Sequence, residues 1–527
     1  MKRTPPPVLP SFPAPVARLA VLAVLAVFGP LRPAAAADET IQNFKRYFNT
    51  YKDTAYRVEA VLTLEGLEDP AVVDLLLSKL KDQEPDVSRA IVRVFSRFKT
   101  RPPVDALLAG LKADKNEAVR VGLLRAIADG KYKDTAEAVT ACLPDKSWEV
   151  RRRAVQALAA AGDPALAPAI APLAADPEAA VRTTVLDALV ALGSELAVAP
   201  AVAALGDPVW QVRRSALDVL LKIRHKDAIE PLIARLDKEE GLLLPDVGEA
   251  LANLSGKEHG TDAAKWKAWW AEAKTNYVLP SKEAIAYLRG TREARTGGGG
   301  KGAPHKSGVV EYHGIDTPSR SILFVIDVSG SMEALVTEKE RFEGGDYPSF
   351  SRIDIVKTEL QRTLQNLDSF VNFNIIAFAT DLNPWKARLM PANILNKSAA
   401  KEWVGRLLAI GGASKEDLAQ VGLVGSANLD KGKTNTHGAL MTALGVKPGA
   451  RTGDRDYATT VDTIFFLSDG RPTVGDYVDP DDILREVAAV NELRKVVIHT
   501  IAIGEFQKDF MRRMAEENGG VFVDLGK

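Results

Sequence analysis

Asp327, Ser329 and Ser331 stand at alternate positions in Asp327-Val328-Ser329-Gly330-Ser331-Met332, directly after the apolar run Ile322 to Ile326. Where the chain leaves a strand, a carboxylate and two hydroxyls so spaced can converge on one point as hard oxygen donors. Two further stretches carry matching chemistry. Gly432-Lys433-Thr434-Asn435-Thr436 supplies a third hydroxyl ahead of an apolar helix, and Leu467-Ser468-Asp469-Gly470 supplies a second carboxylate at another strand's end. Such a donor set suits Mg2+, Mn2+ or Ca2+ better than zinc. Zinc chemistry has no support, since Cys142 is the only cysteine and the six histidines include no His-Glu-x-x-His. His437 reads as a polar helix-start residue and His499 as a histidine packed in a strand.

These residues need a particular scaffold. Ile322 to Ile326 is a continuous β-rich run, as expected of a buried central strand, and similar runs occur at Phe373 to Phe378, Thr463 to Leu467, Val496 to Ile503 and Val521 to Val523. Helical stretches alternate with them, near Ile353 to Leu367, Ala399 to Ala409, His437 to Leu444, Asp482 to Arg494 and Lys508 to Asn518. That alternation predicts an α/β, doubly wound, mostly parallel sheet with its site beyond the strands' carboxyl ends.

Asp-x-Ser-x-Ser, then a threonine, then an Asp-Gly turn, in that order, resembles the metal-ion-dependent adhesion site of von Willebrand factor A (VWA) domains. The resemblance covers about residues 318 to 527 and implies a Rossmann-like fold. Carried over by position, it implies that Ser329, Ser331 and Thr434 bind a divalent cation directly, Mg2+ first, with Mn2+ or Ca2+ as alternatives. Asp327 and Asp469 would act directly or through water, and one coordination position would be left for a partner's Asp or Glu. Thr436 is the alternative threonine. Two polar insertions, residues 333 to 351 and 411 to 432, depart from the pattern; they either rim the ion or are ordinary surface loops.

The amino-terminal half carries a repeat. Asp114, Asp145, Asp176 and Asp207 recur every 31 residues, each followed six positions later by Arg120, Arg151, Arg182 or Arg213. Val150, Ala154, Ala157 and Leu158 form one helical apolar face. The pairs Asp176-Pro177 and Asp207-Pro208 suit helix starts, with Asp as cap and Pro in the first turn. Neither helix of a unit can bury its face alone, so an α-helical solenoid is expected. The pattern resembles short HEAT-like repeats of the phycobilisome lyase-like kind, over about residues 50 to 255. That resemblance implies a ladder between loop Asp and helix Arg, and lyase activity does not follow from it. Trp266, Trp269 and Trp270 share a helical face, either as a hydrophobic cap or as an exposed aromatic patch.

The rest of the chain sets bounds. Lys2, Arg3 and Arg18, the apolar run Leu19 to Phe28 and the small residues Ala34 to Ala37 read as an export signal over residues 1–37, with an uncleaved anchor as the alternative. Residues 38–290 are then the repeat domain, 291–317 a glycine-rich linker and 318–527 the VWA domain. Gly297 to Gly300 is no phosphate-binding loop, because Lys301 is followed by Gly302 and position 295 is Arg. A net charge of -1 argues against a nucleic-acid partner. No membrane span is expected after signal cleavage. Cys142 reads as a buried inert thiol.

Together these features predict a secreted or periplasmic protein-interaction or adhesion protein of the cell envelope. It would bind a protein partner's carboxylate through the cation and would have no enzymatic activity. The alternatives are a metal-dependent hydrolase or lyase and an accessory subunit of an envelope complex.

Overall fold

The computed structural model describes residues 34–81, 84–288, 309–410, 432–446, 459–504 and 508–525. The charged start and apolar run read as an export signal, the glycine run at 297–302 and residues 411–431 of the second insertion lie outside them. Helical repeats precede an α/β sheet domain. By compactness the chain divides into residues 1–161 and 162–527.

In the first unit the helix Ala34–Thr50 buries Phe44 and Phe48. Helices Thr54–Leu62, Pro85–Phe95, Glu117–Gly130 and Trp148–Ala160 pack in succession as one layer. Pro70–Leu77 and Arg101–Ala113 belong to the second layer. Each helix buries one apolar stripe; Pro85–Phe95, for example, hides Val87, Ala90, Ile91, Val94 and Phe95. Cys142 is buried, with its Sγ 3.2 Å from Arg120 Nη2.

In the second unit the repeats continue through Ala179–Ala191, Trp210–Lys222 and Leu243–Ser255 in one layer, with Val198–Ala204, Ile229–Leu236 and Ala263–Ala273 behind them. The charged ladder is present. Arg182 forks onto Asp207 (2.7 and 2.9 Å) and also donates to the Asp176 and Pro177 carbonyls (2.9 and 3.1 Å). One rung on, Arg213 does the same to the Asp207 and Pro208 carbonyls, but its carboxylate partner is Glu239. Arg182 is 15% and Asp207 9% exposed, so removing one partner leaves a desolvated charge behind. Arg182→Ala is expected to cost about 3 kcal/mol, read as a lowered urea midpoint.

The Asp-Pro pairs differ from expectation. The helices start at Ala179 and Trp210, beyond Asp176-Pro177 and Asp207-Pro208, and their N-caps make no side-chain bond. Asp176 and Asp207 instead accept from the amides of Glu178 and Val209, both at 2.9 Å, closing a turn ahead of the helix, while both oxygens of Asp207 also accept from Arg182 in the ladder. The expected geometry occurs at Asp69-Pro70, where Asp69 caps Ala71 N–H and Pro70 opens the helix.

Trp266 is fully buried and donates from Nε1 to the Gly260 carbonyl at 2.8 Å. Trp269 and Trp270 are half-buried and both pack edge-on against Tyr277, at 5.4 Å. The cluster therefore packs helix Ala263–Ala273 against the segments on either side of it.

The sheet domain contains β1 (Val310–Tyr312), β2 (Ile315–Thr317), β3 (Ser321–Asp327), β4 (Asn372–Phe378), β5 (Leu382–Pro384), β6 (Met390–Pro391), β7 (Thr463–Ser468), β8 (Val497–Ala502) and β9 (Phe522–Asp524). The main sheet runs β5-β4-β3-β7-β8-β9, with β6 also on β4. Strands β4, β3, β7, β8 and β9 are mutually parallel, and β5 and β6 are short antiparallel edges. Ile322, Phe324 and Ile326 face one core layer while Leu323 and Val325 face the other, which is why β3 reads as an unbroken apolar run.

One boundary shifts. The β1–β2 hairpin falls inside the stretch assigned to the linker, yet Val310, Tyr312 and Ile315 are buried in the sheet domain's core. The domain thus begins before residue 318.

Within the second unit the repeats also touch the sheet domain. Asp187 pairs with Lys495 (2.7 Å), Trp210 Nε1 donates to the Thr459 carbonyl (3.2 Å), and Glu240 pairs with Arg320. Arg320 precedes β3, Thr459 precedes β7 and Lys495 precedes β8, so every one of these contacts lies at the strands' amino ends.

Candidate metal centre

The opposite ends of the same strands carry the site. Asp327 is the last residue of β3, and Ser468, the last of β7, is followed at once by Asp469. Because β3 and β7 are hydrogen-bonded neighbours, parallel and in register at Ile326↔Leu467, the two carboxylates emerge side by side. Asp327 and Asp469 are buried (0% and 1% exposed), as is Ser329, whereas Ser331 is exposed and opens the cluster to solvent.

The polar atoms form one network. Asp327 Oδ1 accepts from Ser329 N–H (2.8 Å) and Oδ2 from Ser468 Oγ (2.6 Å). Ser329 Oγ and Ser331 Oγ lie 3.1 Å apart, and Ser331 Oγ donates to Asp469 Oδ1 at 2.7 Å. Asp469 Oδ2 accepts from Arg352 Nη1. The motif is pinned to its neighbours: Val328 N–H donates to the Phe378 carbonyl and the Val328 carbonyl accepts from Ile410 N–H, both at 2.8 Å.

Thr434 reaches the same place by a separate route. Its amide donates to Thr473 Oγ1 (2.8 Å), Thr473 N–H donates back to the Thr434 carbonyl (2.9 Å), and Asn435 N–H holds the Ala379 carbonyl (2.9 Å). A side chain at Gly470 would place its Cβ 3.4 Å from Ser331 Oγ and 3.5 Å from Thr434 Oγ1, so both hydroxyls flank the same point beside that glycine. Thr436 opens the helix Thr436–Ala443, and its buried Oγ1 has no hydrogen-bond partner among the described residues. All five residues to which the resemblance assigns the ion therefore gather around β3 and β7.

The electrostatics ask for positive charge. Burial, reinforced by the negative charge of Asp469, pushes the Asp327 carboxyl up to about 7, against the hydrogen bonds from Ser468 and Ser329 that pull it down. Two desolvated carboxylates with hydroxyl oxygens at hand, open to solvent on the Ser331 side, have the chemistry of a hard-cation donor set. Among the described residues no group of three or more His, Cys, Asp or Glu could hold an ion; here the convergence is of two carboxylates with hydroxyls. His437 is a buried helix-start residue stacked edge-on against Tyr477, and His499 lies in β8.

Sequence reasoning missed two participants. Ser468, which hydrogen-bonds Asp327, was signalled only by its place before Asp469. Arg352 lies 117 residues from Asp469 in the chain, and no spacing rule points to it.

Comparison with known proteins agrees with this architecture. Residues 49–120, 104–189 and 167–252 match the family model for HEAT repeats, and residues 345–524 match that for the von Willebrand factor type A domain. The chain carries HEAT repeats and a VWA domain. The VWA match starts beyond the Asp327 motif, while β3, which carries that motif, is central to the sheet. Over 209 residues the chain is 25% identical to human (Homo sapiens) inter-alpha-trypsin inhibitor heavy chain H4, a match covering 40% of this chain and 18% of that protein. The chain thus spans about a fifth of the length of such curated relatives. Among solved structures, BatB from Bacteroides thetaiotaomicron matches at 15% identity, covering 38% of this chain and 88% of that one, with a TM-score of 0.25. The complex of CpcE and CpcF of phycocyanin lyase from Nostoc sp. PCC7120 matches at 19% identity, covering 50% and 99%, also with a TM-score of 0.25. HEAT repeats joined to a VWA domain support a protein-interaction scaffold. Among the described residues no helix is long and apolar enough to cross a membrane.

Proposed function

We propose that this chain is an exported interaction or adhesion protein whose VWA domain captures a partner's Asp or Glu carboxylate through a divalent cation, Mg2+ before Mn2+ or Ca2+. One observation carries the reading: two buried carboxylates and three hydroxyls converge at the solvent-open ends of β3 and β7. Ser329, Ser331 and Thr434 would hold the ion directly, and Asp327 and Asp469 directly or through water. When bound, the ion supplies a partly neutralised double charge to which a carboxylate is drawn. The chain's own residues orient the donors: Ser468 fixes Asp327, Thr473 fixes Thr434, and Arg352 fixes Asp469. The role is binding rather than catalysis. Secretion or a periplasmic location is part of the proposal and is supported by the residue pattern of positions 1–37.

The test uses the purified full chain and an immobilised glutamate-rich peptide. Capture is expected in Mg2+ buffer, with loss in EDTA and equal loss in Asp327→Ala. Binding that survives both treatments overturns the proposal.

A further inference from the structure

We propose that Arg352 is a built-in counter-cation that shares Asp469 with the bound ion, holding cation affinity down and leaving the loaded site with surplus positive charge for the partner's carboxylate. The inference rests on the cation reading above and assigns a residue to it.

Arg352 is the first residue of the helix Arg352–Asn366, capped by Ser351, whose Oγ accepts from Asp354 N–H at 3.3 Å. A cation in a helix's first turn sits at the wrong end of the macrodipole, so the helix gives no reason for an arginine there. The side chain nevertheless turns inward and is only 13% exposed. Its Nη1 donates to Asp469 Oδ2 and approaches the Ser331 carbonyl at 3.5 Å, and its buried Nε has no partner among the described residues. Asp469 therefore gives one oxygen to Arg352 and the other to Ser331, on the motif side.

Neighbouring residues make room for the guanidinium. A Cβ at Gly504 would lie 3.4 Å from both Arg352 Cζ and Nη1 and 3.0 Å from the Asp469 carbonyl, so a larger residue there would press on the guanidinium and the loop together. Arg352 N–H also donates to the Ala334 carbonyl (2.9 Å), tying the helix start to the turn that follows Ser331.

The charge balance gives the consequence. Asp327 and Asp469 alone would neutralise a dication completely, and the loaded site would then hold no net charge to attract a partner. With Arg352 in contact, one unit of positive charge remains after loading, and a partner's carboxylate cancels it. In a desolvated cluster such a unit charge has a large effect on affinity. Arg352 thus trades tight ion binding for carboxylate capture, and it acts as a positioning residue through Asp469.

The experiment titrates full-length protein with Mn2+ alone, followed by electron paramagnetic resonance of free Mn2+. The loaded protein is then titrated with the glutamate-rich peptide. Arg352→Gln is expected to bind Mn2+ about tenfold more tightly and the peptide about tenfold more weakly. Arg352→Lys, which keeps the charge, should stay within about threefold of the parent in both. If the glutamine variant does not fold by circular dichroism, Arg352→Met, which keeps an unbranched stem without the charge, takes its place with the same expectation. Unchanged or weakened Mn2+ affinity in the uncharged variant overturns the inference and leaves the cation site standing. Absence of Mn2+ uptake in parent and variant alike overturns the cation site, and this inference with it.

Discussion

Asp327→Asn is expected to abolish cation binding and, in the cation-free protein, to raise stability. The two effects have one origin. Asp327 is fully buried beside a second carboxylate, and its pKa is raised by burial first and by Asp469 second. Holding that charge without a cation costs free energy, because the unfolded chain would hydrate it. Asparagine has the same shape. Its oxygen can still accept from Ser329 N–H, and its amide can donate to Ser468 Oγ. It brings no charge to an ion, so affinity for Mg2+ should fall at least about 100-fold. In EDTA, near neutral pH, the variant should gain about 2 kcal/mol, read from urea unfolding. Mg2+ should then move the parent's midpoint upward and leave the variant's unchanged. A variant less stable than the parent in EDTA, yet equally responsive to Mg2+, would sink this account.

The second large effect is acid sensitivity at His499. The imidazole lies in β8, 6% exposed and stacked on Phe465 at 4.9 Å. Its Nδ1 accepts from Val521 N–H at 3.0 Å, which assigns the neutral ring. Burial lowers its pKa from 6.5 to about 4. The folded state thus refuses a proton that the unfolded chain accepts. Stability from this residue is complete above pH 6.5 and is lost as pH falls towards 4, by about 3 kcal/mol in all. His313, half-buried and also lowered by desolvation to about 4, acts in the same direction, whereas Asp462, raised to about 6, acts in the opposite one. The difference between parent and His499→Gln therefore isolates the histidine. It should change by the stated amount between pH 7 and pH 4 in urea unfolding, and a difference that does not vary with pH contradicts the assignment.

Much of the sheet domain is legible in the chain because it is built from strands buried on both faces. Residues 322–326 read as a strand for that reason, and Asp327 stands out because it opens the Asp-x-Ser-x-Ser spacing directly after that strand. The hairpin at 310–317 escapes this logic. Its strands are three residues each, with no room for a period, and its turn places His313 and Gly314 at positive φ (49° and 77°). The edge strands β5 and β6 are shorter than any pattern needs. Ser468 and Arg352 show a different limit. Sequence spacing reports what one strand or helix places on one face, whereas Arg352 meets Asp469 only because a helix start and a strand end converge in the fold. In the repeats the Asp-Arg period is visible at once. The division of labour at Asp207, with one oxygen on its own turn and both on Arg182, is a three-dimensional fact.

The contacts of Asp187, Trp210 and Glu240 at the strands' amino ends have a mechanical meaning. A tug on a carboxylate held beside Asp327 would enter at the tips of β3 and β7 and leave through Arg320, Thr459 and Lys495 at their bases. Such a load would run along the backbones of β3 and β7 themselves, and only the share leaving at Lys495 would cross the β7–β8 ladder, as shear borne by its parallel bonds together. On the proposed reading the repeats would hold the strands at the ends opposite the captured carboxylate, so that tension would pass through the strands' covalent backbones.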